Sequence, residues 1–439
     1  MKKLTIEATE ANVLDSIEHD TLQRTSDVRE FLMMLDNIDY NAFIAVDAPW
    51  GEGKTFFVRQ IEMTMNYFRK LKMEHEIGER EKEAFQNNHI LGDLEQKYTY
   101  LPIYFDAWLY DNHTDALMAL LMVMIKQSDV HIDSKLNYDK GEIITSILDS
   151  IQFWKSSNWK SLYESLRGEN IIEHALLLEE VRQKVKEIFN EILTEHADKL
   201  VIFVDELDRC RPNFAIEILE SIKHYFDDDR IIFVMSVNKS QLIHTVAQYY
   251  GNDFDSSLYL NKFFDINIQL PKADTRVYFD TLGISCNDSY WINKFASDLQ
   301  KQFSLSLRDT TRYFYKIRSI DKQLSSSTGT DSYTIKILFI PIICVLDIVD
   351  ITKKQRFLSG DGFDILKKFI FGSEVAHKYV LRLSNVTEDT EENFQTGMDE
   401  LEKIYEFCFR DKDKYGWYEG RLELYSDFYK ECIRICNSV

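Results

Sequence analysis

The chain is poor in residues that interrupt regular structure, with 5 prolines and 15 glycines among 439 residues. That scarcity excludes long flexible linkers and points to a mostly helical chain. Basic residues are also under-represented, at 52 Lys and Arg against 73 Asp and Glu, a net charge of −21. Such an acid excess works against nonspecific binding to nucleic acid or anionic membrane over most of the surface, though not against a local basic groove. No apolar run is long enough to span a bilayer. The best candidate, Ile335 to Ile348, falls short of the roughly 20 residues required and is ended by Asp347 and Asp350. It reads as a buried helix. The first ten residues lack the apolar segment of a signal peptide. Cysteine is sparse and scattered: Cys210, Cys286, Cys344, Cys408, Cys432 and Cys436 form no Cys-x-x-Cys pair and no zinc-ligand cluster. Reduced, mostly buried thiols in a cytoplasmic protein are expected. What remains is ample core material, 45% hydrophobic with 13% aromatic residues, enough for two or three domains.

The most informative stretch is Ala48-Pro-Trp-Gly-Glu-Gly-Lys-Thr55. The apolar run Phe43-Ile44-Ala45-Val46 precedes it and Phe56-Phe57-Val58 follows, the order strand, glycine-containing loop, helix. Backbone amides of such a loop, with the positive end of the next helix, hold an anion. In this pattern Lys54 reaches the β- and γ-phosphates of a nucleotide and the Thr55 hydroxyl ligates Mg²⁺. Trp50, Gly51, Glu52, Gly53, Lys54, Thr55 and Phe56 are the candidate nucleotide-binding residues. One position departs from the pattern: Ala48 stands where Gly is usual, and alanine tolerates positive φ less well.

A second motif follows at Leu200-Val-Ile-Phe-Val-Asp-Glu-Leu-Asp-Arg-Cys-Arg-Pro212. Its apolar start reads as a strand buried on both faces. Two carboxylates at the end of a buried strand are costly without a partner or a task. Asp205 suits Mg²⁺ coordination, directly or through water. Glu206 suits orientation and deprotonation of an attacking water. A third apolar strand, Arg230 to Val237, ends at Asn238. Asn238 reads either as a sensor that hydrogen-bonds the water or γ-phosphate, or as the cap of the following helix.

Together these motifs resemble the KAP family of P-loop NTPases, within the AAA-like division. Pro49-Trp50-Gly51 is similar to the family's tryptophan-containing loop, and Phe105-Asp106-Ala107-Trp108 to its Phe-Asn-x-Trp strand end, with Asp106 in place of Asn. Asp205-Glu206-Leu207-Asp208-Arg209 resembles its Asp-Asp-Leu-Asp-Arg signature, with Glu206 replacing the second Asp. Tyr259 to Phe264 and Leu307 to Phe314 resemble two later family segments, the latter lacking the family's proline. The resemblance covers residues 25 to about 350. It implies ATP with Mg²⁺, assembly into homo-oligomers, and a helical lid driven by hydrolysis to control a separate effector protein, in bacterial defence against phage or plasmids. It also implies that the strand ending at Asn238 lies between the two motif strands. Lys262 corresponds to a basic residue that reaches a neighbouring subunit's nucleotide, or is a helix-end ion pair. Arg308 or Arg312, four apart on one helical face, would contact the γ-phosphate from the lid, Arg308 being preferred. A nonhydrolysing switch or scaffold, and a nucleic-acid motor, are the alternatives.

The expected fold is α/β. Strands at 42–47, 99–105, 200–205, 230–237 and 264–270 alternate with helices, giving a parallel five-stranded sheet with helices on both faces. The expected organisation is an N-terminal extension at 1–24, a P-loop core at 25–271 with helical insertions near 62–97 and 127–197, a helical lid at 272–358, and a helical region at 359–439. The acid-rich part of the first insertion, Glu74 to Glu95, reads as a solvated helical excursion. Trp50 is expected to pack rather than stack on a ligand, Asp106 and Trp108 to support the sheet edge, and Arg209 and Arg211 to pair with Asp208 or with acids of a neighbour. The last eighty residues contain no recognisable nuclease, protease or transferase constellation.

Overall fold

The computed structural model describes residues 7–112, 116–127, 197–273, 291–324, 334–384 and 388–410, and singly Lys186, Leu193 and Tyr278. The second expected insertion, near 127–197, lies almost wholly outside the described residues. The chain divides into two compact units, Ala8–Lys272 and Ala273–Val439.

The first unit is built on five parallel strands: β1 (Ala42–Asp47), β2 (Tyr100–Asp106), β3 (Lys199–Asp205), β4 (Ile231–Val237) and β5 (Ile266–Gln269). Their order across the sheet is β2-β3-β4-β1-β5. β4, which leads to Asn238, therefore separates the two motif strands β1 and β3. β3 and β4 are buried along their whole length, as apolar strands covered on both faces must be. β5 is shorter than its apolar pattern suggests. It pairs with β1 only, starting at Ile44↔Ile266, and as an edge strand it alternates half-buried with exposed residues.

Helices cover both faces. On one lie α1 (Glu10–His19), α2 (Thr25–Leu35), α3 (Lys54–Lys72), α4 (Glu79–Asn87) and α5 (His89–Gly92), packed with Ile44, Val46, Phe203, Ile232 and Val234. α6 (Ala107–Tyr110) is a single turn after β2. On the other face lie α7 (Ala116–Gln127), α8 (Pro212–Tyr225), α9 (Lys239–Tyr250) and α10 (Ser256–Asn261), against Phe43, Ile202, Val204, Phe233 and Met235. The N-terminal helix thus belongs to the sheet's own core, through Val13, Leu14 and Ile17. The stretch Glu74 to Glu95 is not a solvated excursion. Ile77, Ala84, Phe85, Leu91 and Leu94 are buried, and Phe85 stacks on Tyr67 with ring centroids 4.1 Å apart. Glu79 and Glu83 lie exposed on α4, whose Ala84 and Phe85 are buried, and Glu74, Glu76, Asp93 and Glu95 lie exposed in the flanking segments.

The second unit is helical where described: α11 (Trp291–Gln302), α12 (Leu307–Leu324), α13 (Ile340–Val349), α14 (Ile351–Leu358), α15 (Phe363–Phe371), α16 (Glu374–Leu383) and α17 (Glu391–Phe409). The apolar run at 335–346 is buried in its core, with Tyr313, Phe357, Val380 and Tyr405 around it. No helix among the described residues is long and apolar enough to cross a membrane.

Candidate active site

The site forms where β1, β3 and β4 end. Side chains alternate across a strand, and Tyr104, Asp205 and Ser236 follow the same alternation as Phe203 and Val234, the residues facing α3. The pairings Tyr104↔Phe203, Asp106↔Asp205 and Asp205↔Ser236 set them side by side. The loop after β1 closes onto α3 with Gly51 at φ 87° and Gly53 at φ 84°, conformations that glycine alone adopts without strain. Ala48 keeps negative φ. It is buried, and its N–H donates to the Val237 carbonyl at 3.2 Å. A glycine is not needed there, which explains how the sequence departs from the pattern without losing the loop.

Lys54 opens α3 and is buried. Its Nζ donates to the carbonyls of Ala48 at 2.6 Å and Pro49 at 3.2 Å. Burial holds the ammonium below its ordinary pKa, opposed by the carboxylates of Asp208, Asp205, Glu206 and Asp47. Thr55 and Phe56 follow on the same turn, both half-buried, and Phe56 packs toward the α3-face core. Arg24, just before α2, is almost fully buried and clamps the loop from behind: one guanidinium nitrogen donates to the Glu52 carbonyl at 2.9 Å and the other to the Pro271 carbonyl.

Asp205 is buried at the end of β3. Its Oδ2 accepts from the Tyr104 hydroxyl at 2.8 Å and its Oδ1 from the Glu206 N–H at 3.0 Å. Glu206 has φ 60°, a left-handed conformation rare for a residue with a side chain. The 3-10 turn Leu207–Arg209 follows. Arg209 folds back so that its Nε lies 2.5 Å from the Glu206 Oε2, with its guanidinium 5.6 Å from the ring centre of Trp108. Burial, reinforced by Asp205, pushes the Glu206 carboxyl up to about 7 despite Arg209. Asp208 faces the loop instead. Its Oδ2 accepts from the Trp50 indole N–H at 2.5 Å, while its Oδ1 is buried without a hydrogen-bond partner.

Several expectations are corrected here. Trp50 does not pack into the core: it is 44% exposed and hydrogen-bonded through its indole edge. Arg209 pairs with Glu206 and Arg211 with Asp111 at 3.3 Å, neither with Asp208. Asp106 caps α6 by accepting from the Leu109 N–H, and Trp108 stands exposed on that helix. Of the two readings of Asn238, the helix cap is the one seen: it is the N-cap of α9, accepting from the Gln241 N–H at 3.4 Å. Lys262 ends α10 and is exposed. It precedes β5, so it lies toward the start of the parallel strands, away from the loop at their far end. Arg308 and Arg312 belong to the helical unit, where Arg308 is exposed and Arg312 lies 3.7 Å from Asp309. The structure thus gathers Lys54, Asp205 and Glu206 at one sheet edge, while Lys262 lies toward the opposite end of the strands. Sequence reading missed Arg24 and Tyr104 as participants, and took Asp208 only as part of the family-like signature and a partner for Arg209 or Arg211.

The donor set suits a hard dication. Oxygen ligands are at hand in the Thr55 hydroxyl and the Asp205 carboxylate, and the buried Asp208 Oδ1 and Ser236 Oγ lack hydrogen-bond partners. Sheet order, glycine-turned loop and buried lysine define a P-loop NTPase domain. A family model described as the KAP family P-loop domain matches residues 28–324, and the chain belongs to that family. An uncharacterized protein of Methanocaldococcus jannaschii is 26% identical over 172 residues, 30% of this chain and 86% of that protein. The Aeropyrum pernix ORC2 protein, solved in ADPNP-ADP complexes, aligns over 89% of this chain and 84% of its own at 12% identity, with a TM-score of 0.33. At that score the two traces diverge too far for residue-level comparison.

Proposed function

We propose that the chain binds ATP with Mg²⁺ and hydrolyses it. The observation that carries this reading is the gathering of one buried cation, Lys54, with the carboxylates of Asp205 and Glu206 beside a glycine-turned loop. The loop amides and the N-terminus of α3 hold the phosphates. Lys54 leaves the Ala48 and Pro49 carbonyls to meet the β- and γ-oxygens. Thr55 and Asp205 would hold a magnesium ion, which would supply charge neutralisation at the phosphoryl oxygens. Glu206, titrating near neutrality, takes a proton from the attacking water. Asn238, with its oxygen used by the helix cap, has its amide N–H groups for that water. Adenine, rather than guanine, is supported by the family alone.

A cation from outside the loop is still needed at the γ-phosphate. Lys262 supplies it in a neighbouring copy, since its position before β5 points it away from its own loop. Arg308, or Arg312, supplies another from the lid and converts hydrolysis into lid movement. Control of a separate effector in a cytoplasmic defence system against phage or plasmids rests on family resemblance. The acid excess argues against a nucleic-acid motor. A nucleotide-holding switch without turnover is a second reading, favoured by the ion pair that occupies Glu206.

The experiment is a nucleotide titration and phosphate-release assay on the purified chain and on Lys54→Ala. The reading expects binding and turnover in the parent. In the variant, affinity should fall about ten- to hundredfold, the worth of charge-assisted contacts. Equal affinity in the two removes the loop from the role.

A further inference from the structure

Two consecutive residues of one 3-10 turn hold two different parts of the site. Asp208 accepts the indole N–H of Trp50, in the phosphate-binding loop, at 2.5 Å. Arg209 holds the carboxylate of Glu206, at the end of β3, at 2.5 Å. We propose that Trp50 and Asp208 form a latch that carries the conformation of the phosphate-binding loop to the turn holding Glu206, which makes both of them positioning residues for hydrolysis. This rests on the ATP hydrolysis reading above.

Three observations support the latch. First, the partners are 158 residues apart in sequence, and the bond bridges the loop and the β3 turn directly. Second, Trp50 is 44% exposed. A large aromatic side chain held at the surface by one polar bond is not there to fill the core. Third, Asp208 is buried with Oδ1 unpartnered. A carboxylate serving only to brace the turn would have both oxygens satisfied. This one is held by a single charge-assisted bond to the loop and by the field of Lys54.

The geometry says how motion passes. Trp50 immediately precedes Gly51, whose φ of 87° sets the path of the loop. Phosphates that reorganise the amides around Gly51 displace the indole. The displaced indole moves Asp208. Arg209 is the next residue, so its guanidinium shifts relative to Glu206 Oε2. Glu206, already in a strained left-handed conformation with φ 60°, is then released toward the water. The base is thereby engaged only when the loop is filled.

The test uses the full chain and four variants: Trp50→Phe, Asp208→Asn, Asp208→Ala, and Trp50→Phe combined with Asp208→Ala. Nucleotide affinity and steady-state ATP turnover are measured for each. Trp50→Phe and Asp208→Ala should each lower kcat about tenfold, and the double variant no further, since a shared interaction is lost only once. Asp208→Asn should lose less kcat than Asp208→Ala, because its amide oxygen still accepts the indole N–H. Affinity should change less than about threefold throughout, a split that general loosening of the loop would not produce. Losses that multiply in the double variant, or an Asp208→Asn as slow as Asp208→Ala, overturn the latch. Trp50→Phe changes a half-exposed side chain and decides the matter even if Asp208→Ala fails to fold: an unchanged kcat rules the latch out. A parent chain without turnover counts against the hydrolysis reading itself, whereas a turning-over parent matched by Trp50→Phe counts against the latch alone.

Discussion

Tyr104 and Asp205 lie on adjacent strands, and the tyrosine hydroxyl donates to the aspartate Oδ2 at 2.8 Å. The phenol is not free to ionise: burial raises its pKa, and the neighbouring Asp205 charge adds to that. Arg59 of α3 covers the ring, its guanidinium 4.5 Å from the centroid. The carboxylate proposed to hold magnesium is thus aimed by a neutral donor from β2, which leaves its remaining lone pairs toward the loop.

Tyr104→Phe removes that donor while keeping the ring. A buried charge loses one hydrogen bond, which costs about 1–3 kcal/mol. The folded state should be less stable by that amount in denaturant unfolding without nucleotide. An unchanged midpoint and slope would show that water or another group satisfies Asp205 equally well.

Glu206 sets a pH dependence. Its carboxyl titrates near 7, against an ordinary value of 4.5. A general base must be deprotonated, so turnover should fall as pH drops through about 7, with an acidic limb of unit slope. Stability moves the other way. A carboxyl with a higher pKa folded than unfolded does not penalise folding below about 4.5, and its charge costs stability progressively as pH rises through about 7. Glu206→Gln should therefore bind nucleotide, turn over about 10²–10⁴-fold more slowly, and gain stability relative to the parent above about pH 7 but not below about pH 4.5. A pH-independent kcat across this window, or parental turnover in the variant, removes Glu206 as the base.

Ala48→Gly restores the residue usual in such loops, yet no benefit is expected. Ala48 has negative φ and its N–H is already bonded to β4. Glycine adds only freedom to the unfolded chain, so stability should fall by about 0.4–1 kcal/mol, with nucleotide affinity unchanged. Tighter binding would mean that the loop needs more backbone freedom than its φ angles indicate.

Lys262 acts, if in trans, only in an assembly. Turnover per subunit should rise with protein concentration, and Lys262→Ala should remove the rise without altering nucleotide affinity. Turnover that stays constant down to a monomer, verified by light scattering, contradicts the trans role.

Much of the fold was legible in short stretches of residues. Four of the five strands begin and end within a residue of their apolar patterns, because a strand buried on both faces must be continuously apolar. The fifth was overextended, since an edge strand needs less apolar length than its sequence offers. Gly51-Glu-Gly-Lys-Thr55 and Asp205-Glu206 were legible because loop and strand-end chemistry is local, read over a few consecutive residues. The acid-rich stretch at 74–95 misled, because charge counts hide a narrow apolar face carried by Phe85 and Leu91.

The wiring of the site depends on long-range packing. Trp50 with Asp208, Tyr104 with Asp205, and Arg24 with the Glu52 and Pro271 carbonyls join positions 158, 101, 28 and 247 residues apart. Nothing in the local sequence marks them as partners. Their meeting depends on which strand lies beside which, and on which face each side chain takes. The sheet order β2-β3-β4-β1-β5 is set by how all the apolar faces bury together, a property of the whole domain and not of any segment within it.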